Sequence, residues 1–288
     1  MKYLRYSIFV LFFSLFIQAC DNDKEKFEPP PVQPHFSVKD SLALVDIYEQ
    51  GDGKNWFVRW DLTNVYTWGG VGAYLDSVEM EWRVIYLDIP WGTQNGMLSP
   101  KVGDLSELRR LTLSGHGFYG MIPAEIGKLS KLESLQIYST DMEGVIPKEI
   151  FGLPYLYELR IADNLNLILP DEVSNYSPEY FGVCQLINNN FGGKVPSGIK
   201  VQMNLSENNY TEVPFEYYTD TSKPYLNLSY NKISGVIPDY VLNDSVAMCR
   251  LVLMAYPQQK GYGYTNIPEK YIKKYYGYTG IPGEHFGK

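Results

Sequence analysis

The sequence predicts an α/β repeat solenoid, because one sequence motif occurs twice near the middle of the chain. The segment Gly120-Met-Ile-Pro123 returns 24 residues later as Gly144-Val-Ile-Pro147. The alternating segment Leu111-Thr-Leu113 returns at the same offset as Leu135-Gln-Ile137. A fixed period of this length is typical of repeats that stack and bury their apolar faces against one another.

The repeated stretch resembles the leucine-rich repeat of the plant-like, extracellular type, LxxLxLxxNxLxGxIPxxIGxL. The resemblance implies a right-handed superhelix with a parallel β-sheet on its concave face. It also implies short helical or irregular segments on the convex side and a helical amino-terminal cap. Within this fold the repeats occupy 84–255, in about seven to eight turns.

The first 19 residues are predicted to be a lipoprotein signal peptide. Lys2 and Arg5 precede an apolar run over 7–17, which is too short to span a bilayer but suits an export signal. The following Gln-Ala-Cys20 resembles the bacterial lipobox, which implies cleavage before Cys20 and lipidation of its side chain. The alternative is an ordinary cleavage site with an incidental cysteine behind it.

The segment 20–36 is polar, charged and proline-rich, and it is predicted to be a disordered tether. The acidic residues behind Cys20 resemble the surface-export signal of Bacteroidetes lipoproteins. The predicted location is therefore the outer membrane or cell surface, with the lipid on Cys20 as the only contact with the membrane.

The segment 37–83 is predicted to cap the first repeat. Apolar residues at helical spacing predict a helix over 37–49, with Asp40 or Ser41 as its N-cap. The tryptophans Trp56, Trp60 and Trp68 supply apolar area that would cover the first open repeat. Their alternative role is an exposed aromatic binding cluster.

Each repeat contributes a strand whose apolar residues alternate with outward-facing polar ones. The last predicted strand covers 249–253, and 256–288 is the predicted carboxy-terminal cap, with a short helix over 268–276. Cys184 and Cys249 are predicted to face inward on strands, too far apart for a disulfide. Three residues past each strand the repeat family has an asparagine that binds backbone groups; here those positions hold His116, Thr140, Asn164, Asn189, Asn208 and Asn231.

The sequence predicts neither an enzyme nor a metal or cofactor site. Its three histidines lack metal-ligand spacing, and the motifs HExxH, CxxC, GxSxG and the P-loop are absent. Ser114 and His116 stand two residues apart without a third group that would make them a catalytic pair. The net charge of −8 and the absence of a Lys/Arg cluster argue against nucleic acid as a partner.

The predicted function is recognition of a protein or glycan ligand by the concave face. Tyr and Arg are enriched at binding hot spots, and aromatic and amide groups also suit a sugar. An envelope-located polysaccharide-processing enzyme, a self-associating structural envelope protein and a merely solvated sheet are the alternatives. The candidate ligand-binding residues are Trp91, Arg110, Tyr138, Arg160, Asp163, Tyr225 and Tyr230.

Overall fold

The computed structural model describes residues 34–89, 96–177 and 182–276. The predicted signal peptide, most of the tether, Cys20 and Trp91 lie outside these ranges. In chain order the strands are β1 (His35–Phe36), β2 (Val71–Asp76), β3 (Glu81–Ile89), β4 (Gly96–Met97), β5 (Arg110–Ser114), β6 (Phe118–Gly120), β7 (Ser134–Tyr138), β8 (Asp141–Val145), β9 (Glu158–Ala162), β10 (Asn166–Ile168), β11 (Val183–Ile187), β12 (Gly192–Lys194), β13 (Met203–Asn204), β14 (Asn209–Glu212), β15 (Leu226–Asn227), β16 (Ser234–Gly235) and β17 (Gly263–Tyr264).

The α-helices are short and lie mostly at the two ends of the chain. They are α1 (Val38–Gln50), α2 (Glu216–Thr219), α3 (Asp239–Leu242), α4 (Ser245–Ala255) and α5 (Glu269–Tyr276). Six 3₁₀ helices lie between strands: Gly53–Asn55, Val65–Thr67, Pro100–Asp104, Ala124–Lys128, Lys148–Gly152 and Asp171–Asn175. In the described part of the chain no helix has the length and apolar character needed to cross a membrane.

The main sheet holds the repeats together, in the order β1-β3-β5-β7-β9-β11-β13-β15. These strands are parallel neighbours, and β2 pairs with β3 as an antiparallel hairpin. Leu111, Leu135 and Leu159 stand beside one another in register and are fully buried. This arrangement confirms the predicted parallel-sheet solenoid with its apolar residues turned inward.

A ladder of buried amides runs beside the main sheet at the predicted asparagine positions. Asn164 accepts hydrogen bonds from the Thr140 backbone N–H (3.0 Å) and hydroxyl (2.6 Å). Asn189 in turn accepts from the Asn164 N–H (3.2 Å), and Asn208 accepts from the Asn189 N–H (3.0 Å). Each side chain therefore ties one turn of the solenoid to the next, and Thr140 at the start of the ladder keeps the same buried environment.

The two ends of this ladder differ from the family pattern. His116 occupies the first asparagine position, but its side chain is exposed and lies 3.6 Å from Asp141. At the other end Gln258 takes the asparagine role, since it accepts from the Ile233 N–H (3.0 Å) and donates to the Leu228 carbonyl (3.0 Å). Sequence reasoning placed no ladder residue at Gln258, because the repeat pattern has already ended there.

A second, smaller sheet and the 3₁₀ helices form the other sides of the solenoid. This side sheet has the order β10-β8-β6-β4. The turns approach so closely that a Cβ on Gly127 would stand 2.4 Å from Glu149 Cβ. A glycine is therefore required at this position by the stacking of the next turn.

The short turn over 196–203 has no helix where the four preceding turns have a 3₁₀ helix. The buried Tyr217 of the next turn fills the space. Its hydroxyl donates to the Pro196 carbonyl (2.8 Å) and accepts from the Ile199 N–H (3.1 Å). One side chain thus replaces both the packing and the backbone hydrogen bonds of the missing segment.

The amino-terminal segment covers the first turn with aromatic rings. Trp56, Trp60 and Trp68 are all buried, and the last two stack with ring centroids 4.9 Å apart. Burial argues against an exposed aromatic binding cluster. The predicted N-cap, Asp40 or Ser41, was wrong, because helix α1 begins after Ser37 and both residues lie inside the helix. Asp40 is buried, binds the Arg83 guanidinium (3.1 Å) and accepts from the Val84 N–H (2.9 Å).

The predicted strand over 249–253 was also wrong, because these residues belong to helix α4. The Asp244 carboxylate caps this helix by accepting from the Val246 and Ala247 N–H groups. Cys249 is therefore on a helix and half-buried, whereas Cys184 faces inward on β11 as predicted. Burial raises the pKa of the Cys184 thiol, which keeps it protonated and unreactive. Helix α5 occupies the region where a short helix was predicted.

We expect Asn189→Ala to lower the free energy of unfolding by about 2–6 kcal/mol. The change removes the acceptor for the Asn164 N–H and the donor to the Ile161 carbonyl (2.6 Å), and each buried group left unpaired costs roughly 1–3 kcal/mol. Urea denaturation measures the effect. The matched control is Asn175→Ala at an exposed 3₁₀-helix end; equal losses in both variants would contradict a structural role for the ladder.

Candidate ligand-binding face

The outward side chains of the main sheet form two polar rows, which together are here named the sheet face. Parallel pairing places each residue beside its counterpart on the next strand, about 4.8 Å away. The lower row consists of Tyr86, Arg110, Ser134 and Glu158. The upper row consists of Asp88, Thr112, Gln136, Arg160, Gln185, Asn204 and Asn227.

The centre of the sheet face is a connected hydrogen-bond network around Glu158. Its carboxylate accepts from the Ser134 hydroxyl (2.6 Å) and the Gln136 amide (3.0 Å). Arg160 donates to the same carboxylate (2.7 Å) and to the Gln185 side-chain oxygen (2.8 Å). The predicted residue Arg160 is therefore held in one orientation by partners on both sides, which lowers the entropy lost when a ligand binds.

Tyr138 extends this network towards the end of β7. Its hydroxyl donates to the Gln136 side-chain oxygen (3.3 Å), and its ring is half-buried. Burial raises the pKa of the Tyr138 hydroxyl, although Arg160 opposes the shift. A neutral, fixed phenol with one apolar face suits contact with a ligand.

Electrostatics keep the Glu158 carboxyl ionised. Burial alone would raise its pKa, but hydrogen bonds from Ser134, Arg160 and Gln136 outweigh burial and hold the pKa below the ordinary glutamate value. Among the side chains hydrogen-bonded to Glu158 there is no second carboxylate. Glycoside hydrolysis by acid–base chemistry uses a pair of carboxyl groups, so this network does not offer that arrangement.

Arg110 borders a small pocket of about 380 Å³ at the edge of the sheet face. Its guanidinium carbon lies 5.7 Å from the centre of the Tyr86 ring, whereas the neighbouring Arg109 pairs with Glu133 (3.0 Å). Tyr157 forms another part of the pocket lining. Arg110 has no carboxylate partner among the described residues, and its guanidinium can therefore receive an acidic ligand group.

The remaining predicted residues do not join the central network. Asp163 follows β9 with a positive φ of 61° and accepts from the Asn188 amide (2.7 Å). Tyr225 and Tyr230 flank β15, three strands from Arg160 in the main sheet. The Tyr225 hydroxyl donates to the Leu253 carbonyl (2.6 Å). The ring of Tyr225 is partly exposed. Trp91 lies outside the described residues.

The sequence analysis missed two residues, Tyr86 and Tyr157, both of which line the pocket beside Arg110. The signal for Tyr86 was present in the sequence, since the inward Leu87 and Ile89 require Tyr86 and Asp88 to face outward on β3. No group of three or more His, Cys, Asp or Glu side chains with metal-binding proximity occurs within the described ranges.

Comparisons with known proteins identify the architecture. Residues 225–243 match the family model described as Leucine Rich Repeat. The fold is a leucine-rich-repeat solenoid. No curated protein sequence matches the chain.

Solved structures with a similar fold include plant proteins. A plant ice-binding protein is 25% identical with a TM-score of 0.56, over 70% of this chain and 66% of that one. The PEPR1–AtPEP1 complex is 20% identical with a TM-score of 0.52, over 78% of this chain and 31% of that one. The ectodomain of the receptor kinase SOBIR1 from Arabidopsis thaliana is 23% identical with a TM-score of 0.49, over 62% of this chain and 98% of that one. The similarity to the ice-binding protein and to the PEPR1–AtPEP1 complex supports the solenoid fold.

We expect the contribution of Glu158 to stability to be lost in acid. The pKa of Glu158 in the folded protein lies below the ordinary glutamate value. Its ionised carboxylate therefore stabilises the fold fully at pH values above the ordinary glutamate pKa. This stabilisation is lost as the pH falls through the lowered pKa. The difference in unfolding free energy between wild type and Glu158→Gln should therefore shrink from pH 7 to pH 3. Denaturant titrations at several pH values test this, with the exposed Glu79→Gln as control. A difference that stays constant with pH would contradict it.

Proposed function

We propose that the protein is a recognition module whose sheet face binds another protein. The observation that carries the proposal is the fixed network of Tyr138, Gln136, Glu158 and Arg160. Beside it lies the guanidinium of Arg110, which has no carboxylate partner among the described residues. Its polar groups are positioned before a ligand arrives, and tyrosine and arginine are the residues that dominate protein interfaces. A glycan ligand is the alternative, because the same aromatic and amide groups can bind sugar hydroxyls.

The neighbouring charges favour a protein ligand with acidic side chains. Arg160 is already neutralised by Glu158, whereas Arg110 is not paired with a carboxylate in the described part of the chain. A carboxylate of the ligand would form a bidentate pair with Arg110. Tyr86 and Tyr157 supply apolar surface beside that contact.

The proposal includes a lipid anchor on Cys20 at the outer membrane or cell surface. Its support is the sequence alone: the basic start, the apolar run and the Gln-Ala-Cys20 segment. Residues 21–33 would then separate the anchor from the folded part, so that the sheet face could reach partners outside the membrane. The described residues supply no membrane-crossing helix, and a lipid on Cys20 would provide the attachment.

We expect the purified full chain to bind at least one protein in a panel of extracellular matrix proteins, tested beside a glycan array. Arg110→Ala and the double change Tyr138→Ala with Arg160→Ala should each weaken that binding at least tenfold, since truncating a hot-spot residue costs about 2 kcal/mol or more. Arg59→Ala, an exposed arginine of the cap, is the matched control. Binding only to glycans would select the alternative ligand, and unchanged affinity in the double variant would rule out the sheet face.

We expect Cys20→Ala to release the protein from the membrane fraction of the producing bacterium. The thiol that would carry the lipid is absent in this variant, and the proposed attachment to the membrane depends on that lipid alone. Fractionation and mass spectrometry of the mature amino terminus provide the measurement. An unmodified Cys20 in the wild-type protein would contradict the anchor without affecting the binding test.

A further inference from the structure

The side of the solenoid carries an apolar groove that the proposed function does not use. It lies along the side sheet and the 3₁₀ helices, with a volume of about 670 Å³, which is in the usual range for ligand sites. Met97, Met121 and Val145 line it and are 43%, 71% and 54% exposed. Exposed apolar side chains in one continuous groove are uncommon on soluble surfaces without a binding role, and methionine adapts its shape to varied partners.

A row of carboxylates borders the same groove. Glu125, Glu149 and Glu172 each follow a repeat proline by two residues, so the row advances one turn of the solenoid at a time. None of the three has an ion pair or a side-chain hydrogen bond among the described residues, and Glu125 and Glu172 are half-buried. Other carboxylates of the solenoid, such as Glu133 and Glu158, have arginine partners.

The charge of the lining is therefore unbalanced. Three glutamates and one cation, Lys148, line the groove, which gives −3 + 1 = −2. An anionic lipid surface or a nucleic acid would be repelled by this row. A second copy of the chain is also disfavoured. Helix α5 carries three lysines among aromatic and apolar residues, but its Tyr271 and Ile272 are buried in the chain's own core.

We infer that this side groove binds an extended segment of another protein in which lysine or arginine alternates with apolar residues. Apolar side chains of the segment would cover Met97, Met121 and Val145, and its cations would pair with Glu125, Glu149 and Glu172. Neighbouring turns are about 4.8 Å apart, so the three carboxylates span about 10 Å. An extended chain places alternate side chains about 6.8 Å apart, which brings two cations within reach of the row.

The groove and the sheet face are separate surfaces built from different strands. The groove involves β4, β8 and the 3₁₀ helices, whereas the sheet face involves β3, β5, β7, β9, β11, β13 and β15. The inference is therefore independent of the proposed function, and the two surfaces could hold different partners at once.

The test uses three synthetic ten-residue peptides against the purified full chain at 150 mM salt, with fluorescence anisotropy as the readout. One peptide alternates leucine with lysine, one leucine with glutamate and one serine with lysine. We expect the leucine–lysine peptide to bind at least tenfold more tightly than either of the others. Serine–lysine binding of equal strength would overturn the inference, because it would show attraction by net charge alone.

Two triple variants distinguish binding by the groove carboxylates from attraction by the net charge of the protein. Glu125→Gln with Glu149→Gln and Glu172→Gln should weaken binding of the leucine–lysine peptide at least tenfold. The control triple Glu79→Gln, Glu207→Gln and Glu269→Gln removes the same charge elsewhere and should leave binding unchanged. Equal loss in both triples, or no loss in the first, would overturn the inference, and unchanged thermal unfolding verifies the fold of each variant.

Met121→Ser tests the apolar part of the site, and Arg160→Ala tests its independence from the sheet face. We expect the first change to weaken peptide binding severalfold and the second to have no effect. Loss of peptide binding in Arg160→Ala would place the peptide on the sheet face and overturn the groove assignment.

Discussion

The amide ladder beside the main sheet is the interaction on which the rest of the structure depends. Each turn leaves the sheet at the same point, and there its backbone N–H and carbonyl groups point into the core without strand partners. Asn164, Asn189, Asn208 and Asn231 satisfy those groups from neighbouring turns, with every side chain buried. Because buried polar groups are costly when unpaired, the ladder fixes the turn-to-turn spacing and thereby the alignment of the polar rows on the sheet face.

The repeats could be predicted from sequence because their signal is periodic and local. An apolar residue at every second strand position, followed by asparagine and then by Ile-Pro, leaves little choice of conformation, and the register of Leu111, Leu135 and Leu159 follows directly. The end of the solenoid could not be predicted in this way. In the segment 249–253 apolar residues fit both a strand and a helix, and the capping by Asp244 together with burial of Met248, Leu251, Val252 and Ala255 favours the helix.

The sequence predicted which candidate binding residues face outward, but not which side chains they contact. Alternation shows which side chains leave the sheet, and it correctly places Arg110, Tyr138 and Arg160 outward. It does not show that, within the described residues, Arg160 has a carboxylate partner whereas Arg110 contacts only the Tyr86 ring, because that depends on which side chains stand on the neighbouring strands. Tyr225 and Tyr230 were placed with the others by sequence reasoning, although their repeat lies three strands away from Arg160 in the main sheet.

The way in which the sheet ends has a consequence for assembly. A final parallel strand normally presents a line of free amides on which a strand of another molecule can form. Here the Leu228 N–H donates to the Met254 carbonyl and the Tyr230 N–H donates to the Pro257 carbonyl, both at 2.6 Å. Helix α4 and the loop that follows it thus occupy these backbone N–H groups. The chain itself therefore blocks the growth of filaments by addition of strands to β15.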